Sequence, residues 1–416
     1  MSYAARQEQR MWRLAMGLDL SALSRQVRQM SGTAAAESAA TAVRVAQAAA
    51  RYRDAAGEEL HWARAVDLSR EAGFLLARPV EPLDTARPLP PPPLAYQIAA
   101  TDGSQIDFDR HGSVACYLIN IGQVFLRYGH RPVARLSSRP ALYYREEDLY
   151  MSDGARRVLI EGNYLSARRD VEEGVALADL ADELVTDDIP ALALQDGTLV
   201  RWTLAGAERF VQERLLAQYL AYLERMRARG IPVASYISRP RSPELVGTIR
   251  LMLCPDVDVA AGRGAKCAEC SDVAAGRPPS CQVCEGLVDA EIIAGQLREG
   301  QRGPIFTSMS RINVEAYGPH LIHFFHLRVG REIARVEIPR WVAVDAAQVD
   351  LVHSLVYDQV GRGDGYPVAL SRAHEQAVVR SADRRAFLRM LEGSMLRAGV
   401  EQGASAKKDS KEYIRG

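Results

Sequence analysis

Lysine is almost absent from this 416-residue chain: only Lys266, Lys407, Lys408 and Lys411 occur, and the other 48 of its 52 basic residues are arginine. Codon bias in a GC-rich genome explains such a bias, and it also favours Ala, Gly and Pro. Arginine's planar fork does suit phosphate recognition, so the second reading stays open. Net charge is also missing: 52 acidic residues balance the 52 basic ones. That excludes a basic coat over the whole surface, although a local basic groove would still serve a nucleic acid. No apolar run approaches the ~18 residues of a membrane span. The opening residues lack the basic-then-apolar layout of a secretory signal. These absences predict a cytoplasmic protein with no membrane partner. Cysteine is scarce as well, with six residues.

What is present divides the chain. Residues 1–78 are Ala-rich with periodic Leu, Val and Met, which predicts a helical region. Residues 79–97 carry four consecutive prolines at 90–93 and read as a stiff linker or a surface crossing. From 98 to 400, apolar runs alternate with amphipathic stretches, the pattern of a mixed α/β core. Strands are predicted at 95–101, 114–126, 141–150, 191–194, 232–237, 322–327 and 334–338. Helices are predicted at 165–184, 204–229, 346–360 and 366–398. A cysteine-rich insertion occupies 254–290, and the polar tail 401–416 is predicted to be disordered.

Two sites stand out in the core. Asp102 and Asp196 each follow an apolar strand and precede Gly and a hydroxyl residue, as DGS and DGT. Strand ends of α/β sheets are where ligands bind, though Asp-Gly is also a common turn. The helix between them has an apolar stripe at Leu177, Leu180, Ala181 and Leu184. Glu173 falls on that stripe, whereas Glu172 points about 100° away. A carboxylate on a core-facing stripe needs a partner, either Arg169 one turn earlier or a metal. Three such carboxylates suit Mg²⁺ or Mn²⁺, and metal-assisted phosphodiester hydrolysis is chemistry that those ions support.

Strand-Asp, helix-Glu, strand-Asp is the acidic layout of ribonuclease H-like nucleases. The chain resembles the NurA nucleases through ATDGSQ at 100–105, RDVEEGVAL at 169–177 and ALQDGTLVRW at 193–202. The likeness continues with VASYISRPRSPELV at 233–246, RVEIPRW at 335–341 and GYPVALSRAHEQAVV at 365–379. The resemblance implies a ribonuclease H-like core and a Mn²⁺- or Mg²⁺-dependent deoxyribonuclease acting on DNA ends in double-strand break repair. It implies a ring-shaped homodimer that works with a hexameric HerA-type ATPase. It assigns Asp102, Glu173, Asp196, Tyr366 and His374 to the catalytic site, with His374 as a further metal ligand. Arg311 and Arg335 are weaker candidates for holding phosphate; ordinary salt bridges, such as Arg335 with Glu337 or Asp345, explain them equally well.

The cysteines form a separate signal. Cys267, Cys270, Cys281 and Cys284 give C-x2-C-x10-C-x2-C, the spacing of a structural Zn²⁺ site. Free buried thiols and a redox pair are the rival readings. Cys254 is an alternative ligand, and Cys116 reads as core. Two rival functions use the acidic residues differently. One is an actin-like or sugar-kinase-like ATPase, whose Asp-Gly turns hold phosphate but which has no use for Glu173 or His374. The other is a non-catalytic adaptor of a DNA translocase.

Overall fold

The computed structural model describes residues 19–107 and 114–399. The first part of the predicted helical region and the 401–416 tail lie outside the described residues. The chain opens with α1 (Leu20–Arg53) and α2 (Glu59–Leu68). Asp19 caps α1 by accepting from the Ser21 and Ala22 amides, which would otherwise have no partner. A short strand, β1 (Ala77–Pro79), follows. Three long strands come next: β2 (Tyr96–Ile106), β3 (Tyr117–Tyr128) and β4 (Val133–Tyr143). A small hairpin, β5 (Tyr150–Ser152) and β6 (Arg157–Leu159), leads into α3 (Asn163–Leu184). Then come β7 (Ala191–Asp196), α4 (Arg209–Ala228), β8 (Val233–Ile237) and α5 (Glu244–Leu253). The cysteine segment separates α5 from β9 (Phe306–Ser308), β10 (Ile322–Val329) and β11 (Glu332–Pro339). The chain ends in α6 (Ala346–Arg362), α7 (Val368–Ala377) and α8 (Ser381–Arg397).

Among the described residues, nine strands form one mixed sheet in the order β1-β9-β10-β11-β8-β7-β2-β3-β4. The centre, β2-β7-β8, is parallel, and the flanks are antiparallel. Buried centre strands need cover on both faces, and the helices supply it. On one face α3 and α4 close a core around Leu177, Leu215, Tyr219 and Leu223. On the other, α6 and α7 pack Val352, Leu355, Val356 and Ala373 against Ile98, Leu194 and Val336. The edge strand β4 is exposed along most of its length and carries Arg135, Arg139 and Pro140, residues that discourage further strand pairing.

Two sequence expectations need correction, and one open alternative is decided. The N-terminal region is not purely helical, because β1 joins the sheet by pairing with β9. Three residues are too few to show a strand period. Of the two readings of the Pro-rich stretch, the surface crossing is the one the structure shows. Leu83 is buried, its carbonyl accepts from the Tyr52 hydroxyl at 2.7 Å, and Arg87 bridges to Arg302. Finally, the helix expected over 366–398 is two helices, α7 and α8. The Ala377 carbonyl is captured by the Asn120 side chain at 2.7 Å and by the Ser104 hydroxyl, which ends α7 on the sheet.

Candidate active site

Side chains on a strand alternate between faces, and β2 uses both. Thr101 and Gly103 face α3: the Thr101 hydroxyl donates to the Glu173 carbonyl at 3.0 Å, and Gly103 lies directly over the Glu173 side chain. Asp102 and Ser104 face α7. The candidate site therefore straddles the centre of the sheet. Glu173 approaches from one face and His374 from the other, with Asp102 and Asp196 on neighbouring parallel strands.

Two glycines make this arrangement possible. A Cβ on Gly103 would stand 2.5 Å from Glu173 Oε1, so only glycine lets the buried carboxylate come up to β2. Gly122 is paired with Asp102 across β3, and a Cβ there would be 2.1 Å from the Ala373 carbonyl oxygen. Its bare backbone is what allows α7 to lie on the sheet and bring His374 Nδ1 to 2.7 Å from Asp102 Oδ2. The turn just before α7 places Tyr366, whose hydroxyl donates to Asp196 Oδ1 at 2.5 Å. The Tyr366 and Tyr236 rings meet edge to face, with centroids 5.5 Å apart.

Helical phase orients the adjacent Glu172 and Glu173 of α3 as the sequence predicts. Glu173 is 4% exposed, while Glu172 accepts from Arg168 and the Tyr143 hydroxyl to one side. Arg169 Nε donates to Glu173 Oε1 at 3.1 Å, but the same guanidinium also serves Asp170 at 2.8 Å. Burial, first of all, pushes the Glu173 carboxyl up to about 8; Asp170 and Asp102 add to this, against Arg169 and Arg201. Burial also raises Asp196, with Asp102 contributing and the Tyr366 bond opposing. Tyr366 is raised in turn by its own burial and by Asp196. Among the described residues no hydrogen-bond donor reaches Glu173 Oε2 or Asp196 Oδ2.

Four of the five residues expected at the site thus meet as two pairs, Asp102–His374 and Asp196–Tyr366, around β2 and β7, and Glu173 stands behind Gly103. Among the described residues, no three His, Cys, Asp or Glu side chains stand close enough together to hold an ion as placed. For the acidic residues the reason is the β2 backbone, which runs between Glu173 and Asp102. Cys267, Cys270, Cys281 and Cys284, too, are not closed into a cluster: Cys284 is buried and Cys267 exposed. The Asp102-Gly103 turn is a further correction, since β2 runs on to Ile106 and Asp102 is mid-strand. Asp196-Gly197 does end its strand, with Gly197 at φ 71°.

Arg335 is a correction as well, because the salt-bridge alternative is the one the structure shows. It is 2% exposed and bonded to Glu337 at 2.8 Å, Ser242 at 2.9 Å and Glu244 at 3.1 Å, with its guanidinium over the Phe324 ring. Arg311 is a surface residue that pairs with Glu315 one turn along its own helix. Sequence reasoning missed Asp170 and Arg201 at the site. Asp170 lies three residues before Glu173 and so shares its helix face. Arg201 is buried over the Tyr219 ring and faces Asp170 at 3.5 Å. Its position after Asp196-Gly197 gave no periodic signal.

The NurA domain family model matches residues 96–379, from the first residue of β2 to just beyond α7. The chain belongs to the NurA family. That match takes in every residue of the candidate site and makes this a protein of a nuclease-associated family. No curated protein matches the chain. Among solved structures it is similar to an Argonaute of Aquifex aeolicus (9% identity, TM-score 0.25, covering 68% of this chain and 28% of that one). It is also similar to LC9-RNase H1, a type 1 RNase H with the type 2 active-site motif (12% identity, TM-score 0.18, 36% and 64%). The chain therefore spans less than two thirds of the length of either structure. Among the described residues, no helix of this NurA-family chain is long and apolar enough to cross a membrane.

Proposed function

We propose that this NurA-family chain is a metal-dependent deoxyribonuclease that processes DNA ends in double-strand break repair. One observation carries the reading: Asp102–His374 and Asp196–Tyr366 lie on adjacent parallel strands, with the Glu173 carboxylate behind Gly103. The donor set fits Mn²⁺ or Mg²⁺, since hard oxygens dominate and two of them have no donor among the described residues. Asp102, Asp196 and His374, on one side of the sheet, would hold the ion, and Glu173 would join them by turning past Gly103. Once bound, it would supply Lewis-acid stabilisation of charge on the scissile phosphate.

The chain's own groups prepare that site. With His374 Nδ1 on Asp102, the imidazole is oriented and Nε2 is left as the outward nitrogen. Tyr366 fixes Asp196 in the same way with its one phenolic proton, which would reach a phosphate oxygen only by leaving Asp196. Arg169 is the cation beside Glu173 and the candidate for phosphate contact here, in place of Arg335 and Arg311. Meander strands β4-β3-β2 followed by parallel β7 and β8 support a ribonuclease H-like core. A homodimer, a hexameric HerA-type partner, DNA as substrate and a cytoplasmic setting belong to the same proposal.

The deciding experiment compares wild type with Asp102→Ala and Asp196→Ala on single- and double-stranded DNA with Mn²⁺, with and without the ATPase partner. Loss of about 100-fold or more in each variant is expected. Equal inactivity of all three proteins would leave the adaptor reading instead. Tight Mg-ATP binding by the isolated wild type would favour the kinase-like alternative.

A further inference from the structure

The cysteine segment lies apart from the acidic site and has its own physical problem. Between residues 254 and 288 the buried apolar side chains are Ala265, Cys284 and Leu287. So small a core cannot offset the ordering of such a length of chain, and lobes of this kind are commonly stapled. Cys267 opens a tight 3-10 turn, Cys267–Glu269, that Cys270 ends, and Cys281 and Cys284 lie in a second, Ser280–Cys284. Asp272 closes the link between them by accepting from the Ser280 amide at 2.9 Å and from its hydroxyl at 2.8 Å. Burial first of all raises the Cys254, Cys267 and Cys284 thiols, and neighbouring Cys281 adds to each. Arg250 of α5 stands 4.0 Å from the Cys281 sulfur.

This lobe grips the N-terminal helix. Cys284 is buried in one cluster with Ala48, Ala49 and Tyr52 of α1 and Leu245 and Ile249 of α5. Arg44 of α1 donates to the carbonyl of Glu285, the residue after Cys284. α1 thus meets the rest of the molecule largely through the second cysteine turn and the short helix Asp289–Ile293. We propose that Cys267, Cys270, Cys281 and Cys284 bind one structural Zn²⁺, and that this ion is the latch holding α1 on the core. Four thiolates around one ion satisfy its tetrahedral preference and draw exposed Cys267 toward buried Cys284. Cys254, at the end of α5, is not a ligand. The proposal is independent of the nuclease reading, because none of its residues touches the acidic site.

The test uses the full chain expressed with zinc in the medium. Elemental analysis is expected to give about one Zn²⁺ per chain, and Co²⁺ substitution the absorption bands of a four-thiolate site. Cys281→Ser should weaken binding by more than about 100-fold, whereas Cys254→Ser should leave it unchanged. If Cys281→Ser fails to fold, chelation of the wild type keeps the claim testable. Hydrogen exchange at Ala48, Ala49 and Tyr52 should then rise, while amides of β2 and β7 stay protected. Zinc-free protein that takes up no added Zn²⁺ would overturn the site. Bound zinc whose removal leaves exchange in α1 unchanged would overturn the latch.

Discussion

One sheet buries charge in two places, in opposite ways. On the β11 side, Arg335 sits among Glu244, Glu337 and Asp289, and all six carboxylate oxygens accept a hydrogen bond. Glu244 takes Ser308 and Arg335; Glu337 takes Arg335, the Thr198 hydroxyl and the Leu199 amide; Asp289 takes the Val246 amide and the Ser242 hydroxyl. At β2 and β7, four carboxylates (Asp102, Asp170, Glu173 and Asp196) face Arg169 and Arg201. Three oxygens, Glu173 Oε2, Asp196 Oδ2 and Asp170 Oδ2, accept no hydrogen bond among the described residues, the last only facing Arg201 at 3.5 Å. A buried charge with every partner in place builds architecture. One whose partners are incomplete, beside an exposed His374, is where a ligand gains most by arriving.

That contrast breaks most sharply at Arg335. Arg335→Met leaves Glu244 and Glu337 buried without their cation and should cost about 3–5 kcal/mol in urea unfolding. Glu173→Gln, of nearly the same shape, removes a carboxyl whose ionisation folding disfavours, so stability near neutral pH should hold or rise while nuclease activity is abolished. Equal stability losses in the two variants would erase the distinction between the regions.

Titration sharpens the comparison further. Burial raises both Glu173, to about 8, and Asp289, to about 7. A carboxyl raised on folding stabilises the protein fully below its unfolded value, and that contribution is lost as pH rises through the folded value. Metal-free wild type should therefore lose stability from about pH 4.5 to 8. Glu173→Gln and Asp289→Asn should each flatten part of the slope. Mn²⁺ competes with the proton on Glu173 and should flatten the wild-type slope only at the acidic site. If Mn²⁺ leaves the Glu173-dependent part of the slope unchanged, that carboxylate is not a ligand.

A smaller effect is expected where the helix meets the sheet. Gly122→Ala forces a methyl against the Ala373 carbonyl at an unrelaxed 2.1 Å, so α7 must move. Overpacking of this kind costs about 1–3 kcal/mol. Its cost in activity should exceed its cost in stability, because the displaced helix carries His374 away from Asp102. Parallel losses would mean that α7 only packs.

Sequence reasoning reached the site unevenly, for reasons that separate local from distant causes. Glu173 was legible because helical phase is local: one turn of α3 decides which glutamate is buried. Asp102 and Asp196 looked equivalent, yet only the second ends a strand. β2 continues because β3 pairs with it as far as Ile106, beyond the point where β7 stops. No residue near Asp102 announces that. The break between α7 and α8 has no Gly or Pro at 378–380; Asn120 and Ser104, more than 250 positions away, make it. For Arg335 a signal was present: strand alternation sets it beside Glu337 on one face of β11, which argued for a pair rather than a phosphate.

The mildest test concerns Tyr366, whose hydroxyl is one of the few donors on the acidic side. Tyr366→Phe removes one hydrogen bond to Asp196, worth about 1 kcal/mol of stability, while Gly197 still donates to the same oxygen. The Tyr236 contact survives, since the ring is kept. If the hydroxyl only fills a gap, activity and stability should fall together by that small amount. If it orients Asp196 for the ion, about 10-fold of activity should be lost with the unfolding midpoint nearly unmoved, and the Mn²⁺ concentration for half-maximal activity should rise. The same ring-preserving change at Tyr317, whose hydroxyl bonds Leu199 and Arg201 inside the core, should do the reverse and cost stability first.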